Sequence, residues 1–231
     1  IAYVLDEDGT FESRLNKEMV ELERFTADPG SLEALAKQGI VVLAASGNSY
    51  EERNGQDTGV GYPSSDSWAM SIGSVIAGEP GTPNQSDDSP PRPIDTLSSF
   101  SQRGPLTVAV APGDKIGAAW LDNGHAYIQG TSMATPLVAG AMEYIRQYFV
   151  QGFYPTGTVV TGNGIARVPE ALLRAVVLAG SRQITGKVNY DGQLQDLPSS
   201  YPNYAIGFGM PVVDRALYLT GYTGSFANGL Q

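Results

Sequence analysis

The run Ile40–Ala45 (IVVLAA) is apolar at every position, and it directly follows a segment with a helical pattern, SLEALAKQ at residues 31–38. Ser31 is the predicted N-cap of that helix, and Gly39 is well placed to end it. A short strand without a polar face is typical of a parallel sheet that is covered on both faces. The two segments together predict one α/β unit.

Further strands and helices alternate along the rest of the chain. The predicted strands are Ala69–Ile76 (AMSIGSVI), Leu106–Val110 (LTVAV) and Ala126–Ile128, the last as the return strand of a hairpin that turns at 122–124. The predicted helices are 14–25, a segment from near Ser132 to about Phe149, and Pro169–Ala179. The first half of the middle helix is apolar all round, which predicts that it is buried.

Two long segments lack such patterns. Residues 82–96 are rich in Pro, Asp and Ser and are predicted to form a surface loop or an insertion. Residues 185–206 are predicted to form a long loop, and the segment 207–219 then closes the chain with a strand-like piece and a short helix.

Composition limits the classes of function. A chain of 231 residues with 42% hydrophobic content is long enough for one sizeable core. Its 24 acidic and 14 basic residues give a net charge of −10, which argues against a nucleic-acid partner. Since cysteine is absent, a disulfide framework, a thiolate nucleophile and a Cys-based zinc site are excluded. No apolar run approaches the roughly eighteen residues of a membrane helix, so no membrane span is predicted.

The segment GTSMATPLVAG at residues 130–140 places Ser132 where a helix is predicted to begin. A serine at that position can expose its hydroxyl to a cleft, and its own N–H is free to stabilise an oxyanion. Asn48, in AASGNS, follows the buried strand at the edge where α/β sheets place their ligand sites, and its amide is a suitable second donor. The alternative is that Thr131 and Ser132 only cap a helix.

Seven motifs, spread over roughly residues 31–220, occur in an order that is typical of one protein family. They are AASGNS (44–49), GYPSSDSWAMSIGSV (61–75), SSFSQRGP (98–105), VAPG (110–113), GTSMATPLVAG (130–140), ALLRAVVLAG (171–180) and GFGMPVVDRAL (207–217). This set resembles the C-terminal half of the catalytic domain of a subtilisin-like serine protease. The resemblance implies an α/β fold with a parallel sheet and helices on both faces, residues 1–231 forming the C-terminal part of one peptidase domain.

The same resemblance implies the roles of individual residues. Ser132 would be the nucleophile, and Asn48 would donate to the oxyanion beside the Ser132 N–H. Substrate binding would fall to the wall of a specificity pocket and to the turn before the serine, that is, to Ala44, Ala45, Ser46, Gly47, Gly130 and Thr131. The implied substrate is a peptide or protein, the chemistry requires no cofactor, and the expected location is extracellular or in the secretory pathway.

Structural calcium is also expected from the resemblance, together with the acidic loops at Asp87, Asp88 and Asp191. No complete set of ligands can be assembled from the sequence, so the metal-binding residues stay unassigned. Asp6, Asp8 and Glu12 offer a weaker calcium alternative, without the spacing of an EF-hand loop.

The chain departs from the family pattern at the base. The triad of the family runs Asp, His, Ser along the chain, yet residues 1–47 contain no histidine and His125 is the only one in the sequence. His125 is predicted to be an exposed hairpin residue, and Asp6 to lie in a turn or insertion loop. We therefore expect the catalytic His and Asp, with the first strands of the sheet, in an N-terminal half outside these residues, either as a second chain after processing or as a preceding part of the same chain.

Two other interpretations stay open. One is a catalytically inactive subtilisin-like domain with a binding or assembly role, which the single misplaced histidine favours. The other is a hydrolase in which a carboxylate replaces histidine as the base of Ser132, although no carboxylate lies in a recognisable motif for that role.

Overall fold

The computed structural model describes residues 29–50, 59–76, 94–185, 187–190 and 193–222. Its helices are α1 (Pro29–Lys37), α2 (Thr131–Val150), α3 (Glu170–Ala179) and α4 (Val213–Ala216). Its strands are β1 (Val42–Ala45), β2 (Ala69–Val75), β3 (Thr107–Pro112), β4 (Ile116–Ala119), β5 (His125–Ile128), β6 (Ser181–Arg182), β7 (Lys187–Tyr190), β8 (Gln193–Asp196) and β9 (Met210–Pro211). Short 3₁₀ turns span Leu121–Asn123 and Thr161–Asn163.

The predicted parallel sheet is confirmed. β1, β2 and β3 pair in that order, all parallel, with Val42 opposite Ala69 and Ile72 opposite Ala109. Every residue of β2 is buried, as expected for the middle strand of a sheet with both faces covered. The carboxyl ends of β1 and β2 lie side by side, so the segments that follow them meet at one edge of the sheet.

Helices cover both faces of the sheet, as predicted. α2 and α3 pack on one face, where Val138 and Ile145 join Met70 and Ile72 in a buried cluster. Leu32 of α1 packs with other side chains, namely Val42, Ala44 and Ala69. Because successive strand residues point to opposite faces, α1 and α2 lie on opposite sides.

α2 differs from its prediction in one respect. Ala134 and Val138 are buried, but Leu137 is 45% exposed and Gly140 is exposed as well. In the part of the chain that the structure describes, the helix therefore buries only the stripe that faces the sheet. The prediction of burial all round was wrong, because an apolar side chain such as that of Leu137 can stay on the surface and an apolar pattern does not require a neighbour on every side.

Two local predictions are corrected. α1 begins at Pro29, two residues before the predicted N-cap Ser31, since proline is tolerated in the first turn of a helix. The segment 185–206, predicted to be one long loop, contains the antiparallel pair β7–β8, in which Lys187 lies opposite Asp196. By contrast, α1 ends at Lys37 and Gly39 follows in the left-handed conformation (φ +82°), as its position predicts.

Several predictions lie outside the described residues. They are the helix 14–25, the acidic residues Asp6, Asp8, Glu12, Asp87, Asp88 and Asp191, and most of the loop 82–96. At the end of that loop Thr96 is buried, and its carbonyl accepts a hydrogen bond from the N–H of Ile76. Within the described ranges, no helix combines the length and apolarity that would let it cross a membrane.

Candidate active site

Ser132 lies in the first turn of α2, and its side chain is exposed. The preceding Gly130 has φ +153°, and its N–H is held by the Gly113 carbonyl at 2.7 Å. A helix supplies no acceptor for the N–H groups of its first turn. The Ser132 N–H is therefore available to a ligand beside its own hydroxyl.

Asn48 comes to the same place from the end of β1. Its Oδ1 accepts two hydrogen bonds from Thr131, one from the backbone N–H and one from the hydroxyl, each 2.9 Å long. Two donors at one atom settle which end of the amide is oxygen. The Nδ2 group is thereby left for other partners, and no acceptor among the described residues meets it.

Thr131 links the two segments. Its side chain has no exposed surface, and its Oγ1 accepts a hydrogen bond from the Gly47 N–H at 3.2 Å while donating to Asn48. The hydroxyl thus uses both of its hydrogen-bonding capacities inside the protein. The Thr131 side chain therefore faces inward and holds Asn48, while its predicted role in substrate binding stays a prediction.

Glycine is required at position 130. A Cβ built there would lie 3.3 Å from Asn48 Nδ2 and 3.6 Å from Met133 Sδ. A side chain would also have to adopt the positive φ that only glycine tolerates well. The amide of Asn48 therefore packs directly on the backbone that leads to Ser132.

The segment Ala44–Gly47 forms the flank of this site. The side chains of Ala44 and Ser46 are buried. The Ser46 carbonyl accepts a hydrogen bond from the Gly61 N–H (3.2 Å), and the Gly47 carbonyl accepts one from the Gln102 N–H (2.8 Å). Ala45 and Gly47 are half-buried, and the substrate-binding role of the whole segment stays a prediction.

His125 does not share this location. It is exposed at the start of β5, opposite Ala119, at the end of the hairpin far from Gly130. A strand rises about 3.3 Å per residue, so β5 itself separates His125 from Ser132. The described residues contain no group of three or more His, Cys, Asp or Glu side chains able to hold a metal ion.

The sequence pattern gave no indication of Gln102, which holds the segment that flanks the candidate site. It lies in SSFSQRGP, which the resemblance included, but nothing in its residue type or spacing pointed to a role. Its contacts with Gly47 and Gly59 span 55 and 43 positions of the chain (102 − 47 = 55). Only the folded chain reveals such a pairing.

The fold and the site together define a parallel α/β domain that presents an exposed serine at a helix N-terminus beside an oriented asparagine amide. Residues 16–209 match the Subtilase family. Because this match covers most of the chain, the protein belongs to the subtilase family.

Individual relatives match shorter stretches. The chain is 32% identical to Subtilisin BL of Lederbergia lenta over 117 residues, which is 51% of this chain and 35% of that protein. It is 34% identical to the serine protease/ABC transporter B family protein tagD of Dictyostelium discoideum over 112 residues, 39% of this chain and 6% of that protein. It is 50% identical to alkaline serine exoprotease A of Vibrio alginolyticus over 54 residues, 23% of this chain and 10% of that protein. The matched parts thus span about a third or less of these relatives.

Proposed function

We propose that this chain carries the nucleophile and the oxyanion-binding groups of a serine endopeptidase. Ser132 Oγ attacks the carbonyl carbon of a peptide bond, and the resulting oxyanion accepts hydrogen bonds from Asn48 Nδ2 and from the Ser132 N–H. The observation that carries the proposal is the pair of 2.9 Å bonds from Thr131 to Asn48 Oδ1, which leaves the Nδ2 donors unused beside the serine. If Thr131 and Ser132 only capped the helix, an asparagine amide with free donors would not be required beside them.

The reaction follows from these groups. As Oγ bonds to the carbonyl carbon, its proton passes to a base, and the developing negative charge on the oxygen is stabilised by donors that are already in place. The base then gives the proton to the leaving amine as the C–N bond breaks. Water attacks the acyl-serine by the same route, which releases the acid and restores Ser132.

In this proposal the base is a histidine outside this chain, oriented by an aspartate that also lies outside it. His125, the only histidine of the sequence, is exposed at the far end of the β4–β5 hairpin and is separated from Ser132 by a strand. Peptide or protein substrates, an extracellular location and structural calcium belong to the same proposal and rest on the family resemblance.

A second candidate is a catalytically inactive subtilase domain with a binding or assembly role. The observation in its favour is the position of the single histidine, which is exposed and remote from the serine. Such a domain would keep the fold and the Thr131–Asn48 contact but would have no activated nucleophile.

Labelling with a fluorophosphonate probe separates the two candidates, because the probe reacts fast only with a serine that a base activates. The natural protein, with any chain that accompanies it, is treated with probe, digested and mapped by mass spectrometry. The proposal expects the label on Ser132 and its loss in Ser132→Ala. It also expects the intact mass spectrum to show the chain or segment that contains the catalytic histidine. An unlabelled Ser132 in folded wild-type protein would establish the inactive domain instead.

A further inference from the structure

Gln102 joins two segments that are distant in sequence and adjacent to the candidate site. Its backbone N–H donates to the Gly47 carbonyl at 2.8 Å, and its side-chain Nε2 donates to the Gly59 carbonyl at 2.9 Å. The residue is half-buried. One residue therefore fastens both the segment Ala44–Gly47 and the segment that begins at Gly59.

The Gln102 carboxamide also packs against Gly47. A Cβ built on Gly47 would overlap that carboxamide, and Gly47 has φ +112°, which disfavours any side chain. Gln102 thus occupies the space behind Gly47, on the side where a larger residue would carry its side chain. Removing the carboxamide opens a gap into which Gly47 can move.

The segment that carries Gln102 is itself anchored. The Arg103 guanidinium lies 3.5 Å from the centre of the Tyr50 ring, and the Phe100 carbonyl accepts a hydrogen bond from the Tyr50 N–H at 3.2 Å. Ser101 Oγ accepts a hydrogen bond from the Ser74 N–H of β2 at 3.0 Å. Because its neighbours are tied to the sheet and to the loop after Asn48, Gln102 is a fixed support for Gly47 and Gly59.

We propose that Gln102 is a specificity-determining residue, because its bonds to Gly47 and Gly59 set the separation of two segments beside the substrate side chain. The inference rests on the proposed function, since Ala44–Gly47 flanks a substrate only when a peptide carbonyl lies at Ser132 and Asn48. Asn48 itself is held by Thr131 through bonds that do not involve Gln102. Changing the Gln102 side chain therefore alters the choice between substrates and leaves the reacting groups in place.

The test compares two variants of Gln102 with a matched control. Gln102→Met keeps a long side chain but loses the donor to Gly59, and Gln102→Ala loses both the donor and the packing. Gln147→Ala makes the same substitution on the exposed side of α2. The rates of Ser132 labelling are measured with a small alkyl fluorophosphonate and with peptidyl phosphonates that carry Ala, Leu or Phe beside the phosphorus.

We expect the small probe to label all variants within about 3-fold of wild type. The spread of rates among the Ala, Leu and Phe probes should shrink about 5-fold or more in Gln102→Ala and less in Gln102→Met, because pocket fit decides between apolar side chains by factors of about 10–200. Gln147→Ala should retain the wild-type spread. An unchanged spread in Gln102→Ala overturns the inference, as does a small-probe rate that falls in parallel with the peptidyl rates.

Amide hydrogen exchange keeps the inference separate from the proposed function. The Gly61 N–H, bonded to the Ser46 carbonyl, reports whether the two segments stay together. This N–H should exchange about 10-fold faster in Gln102→Ala than in Gln147→Ala. In Gln102→Ala the two segments can separate without breaking the bond from Gln102 Nε2 to the Gly59 carbonyl. If wild-type protein takes no probe, the proposed function has failed, and an unchanged exchange rate then overturns the role of Gln102 as well.

Discussion

The two ends of α2 are built in different ways. At the N-terminal end, Thr131 is hydrogen-bonded to the Asn48 side chain and to the Gly47 N–H, and Ser132 stays exposed. Further along, Met142, Ile145, Tyr148 and Phe149 are all buried in one apolar cluster. Burial of apolar surface is the main source of stability, whereas catalysis needs positioned polar groups that remain accessible. One helix therefore has an apolar, buried C-terminal half, and its first turn carries the polar groups on which the proposed function depends.

The largest expected effect is the loss of stability caused by Ile145→Ala in the buried half of α2. The side chain is fully buried, so its truncation should lower the free energy of unfolding by about 2–5 kcal/mol. Chemical denaturation measures the loss, and Leu137→Ala, on the exposed side of the same helix, serves as the control with a smaller change. The labelling rate of the molecules that remain folded should not change; a large drop in that rate would show that the two halves are not independent.

Replacement of Asn48 tests the other half. Asn48→Ala removes the Nδ2 donors, and we expect the labelling rate of Ser132 to fall about 10²–10³-fold, a range for an oxyanion donor that was itself set on a subtilisin. Asn48→Asp keeps the Oδ1 acceptor for Thr131 while losing the donors, so it should fall at least as far. Asn163→Ala, in the surface turn Thr161–Asn163, is the control. A full rate in Asn48→Asp would remove Asn48 from the oxyanion site.

Thr131→Val tests the same end of α2, with a smaller expected effect on the Ser132 labelling rate. The variant keeps the volume but loses the hydroxyl that bonds Asn48 Oδ1 and Gly47 N–H. Loss of the hydroxyl should slow labelling about 10-fold, or about 1.4 kcal/mol, which is within the roughly 0.5–1.5 kcal/mol net contribution of a hydrogen bond. Thr131→Ser, which restores the hydroxyl, should stay within about 3-fold of wild type.

A double-mutant cycle decides how Thr131 acts. In the Asn48→Ala background, Thr131→Val should cost less than about 2-fold, because a residue that works only through Asn48 has nothing left to position. Equal costs in both backgrounds would mean that Thr131 acts without Asn48.

The smallest effect is expected at Tyr148, whose hydroxyl donates to the Tyr218 carbonyl at 2.9 Å. Burial raises the pKa of Tyr148 above the usual tyrosine value of about 10. A raised pKa in the folded state favours the protonated form, so its contribution to stability is complete below pH 10 and is lost as the pH rises through the folded-state pKa. The stability difference between wild type and Tyr148→Phe should therefore shrink between pH 9 and 12. Tyr144→Phe, at an exposed position, should show no such trend, and a difference that does not vary with pH would contradict the assignment.

Much of the fold was open to prediction because it depends on local patterns. A few neighbouring residues were enough to predict three kinds of feature: the strands β1 and β2 from their apolar runs, the end of α1 from the glycine after it, and the β4–β5 hairpin from its turn residues. The errors also have local causes. α1 begins at Pro29, although Ser31 was predicted to cap it. The β7–β8 hairpin was not predicted, because its strands are rich in polar residues and strands were predicted from apolar runs.

The sequence alone determined the α/β class, the family and the serine that a subtilase would use, because those properties lie in short motifs and in their order along the chain. Only the tertiary structure decided how the site is held together. Gly47 and Thr131 are 84 positions apart, and Thr131 and Asn48 are 83 apart, so their bonds depend on how the sheet brings β1 to the start of α2. Residue type says that Asn48 can donate and that Gln102 can bond, but the direction of each amide is set by partners that only the folded chain supplies.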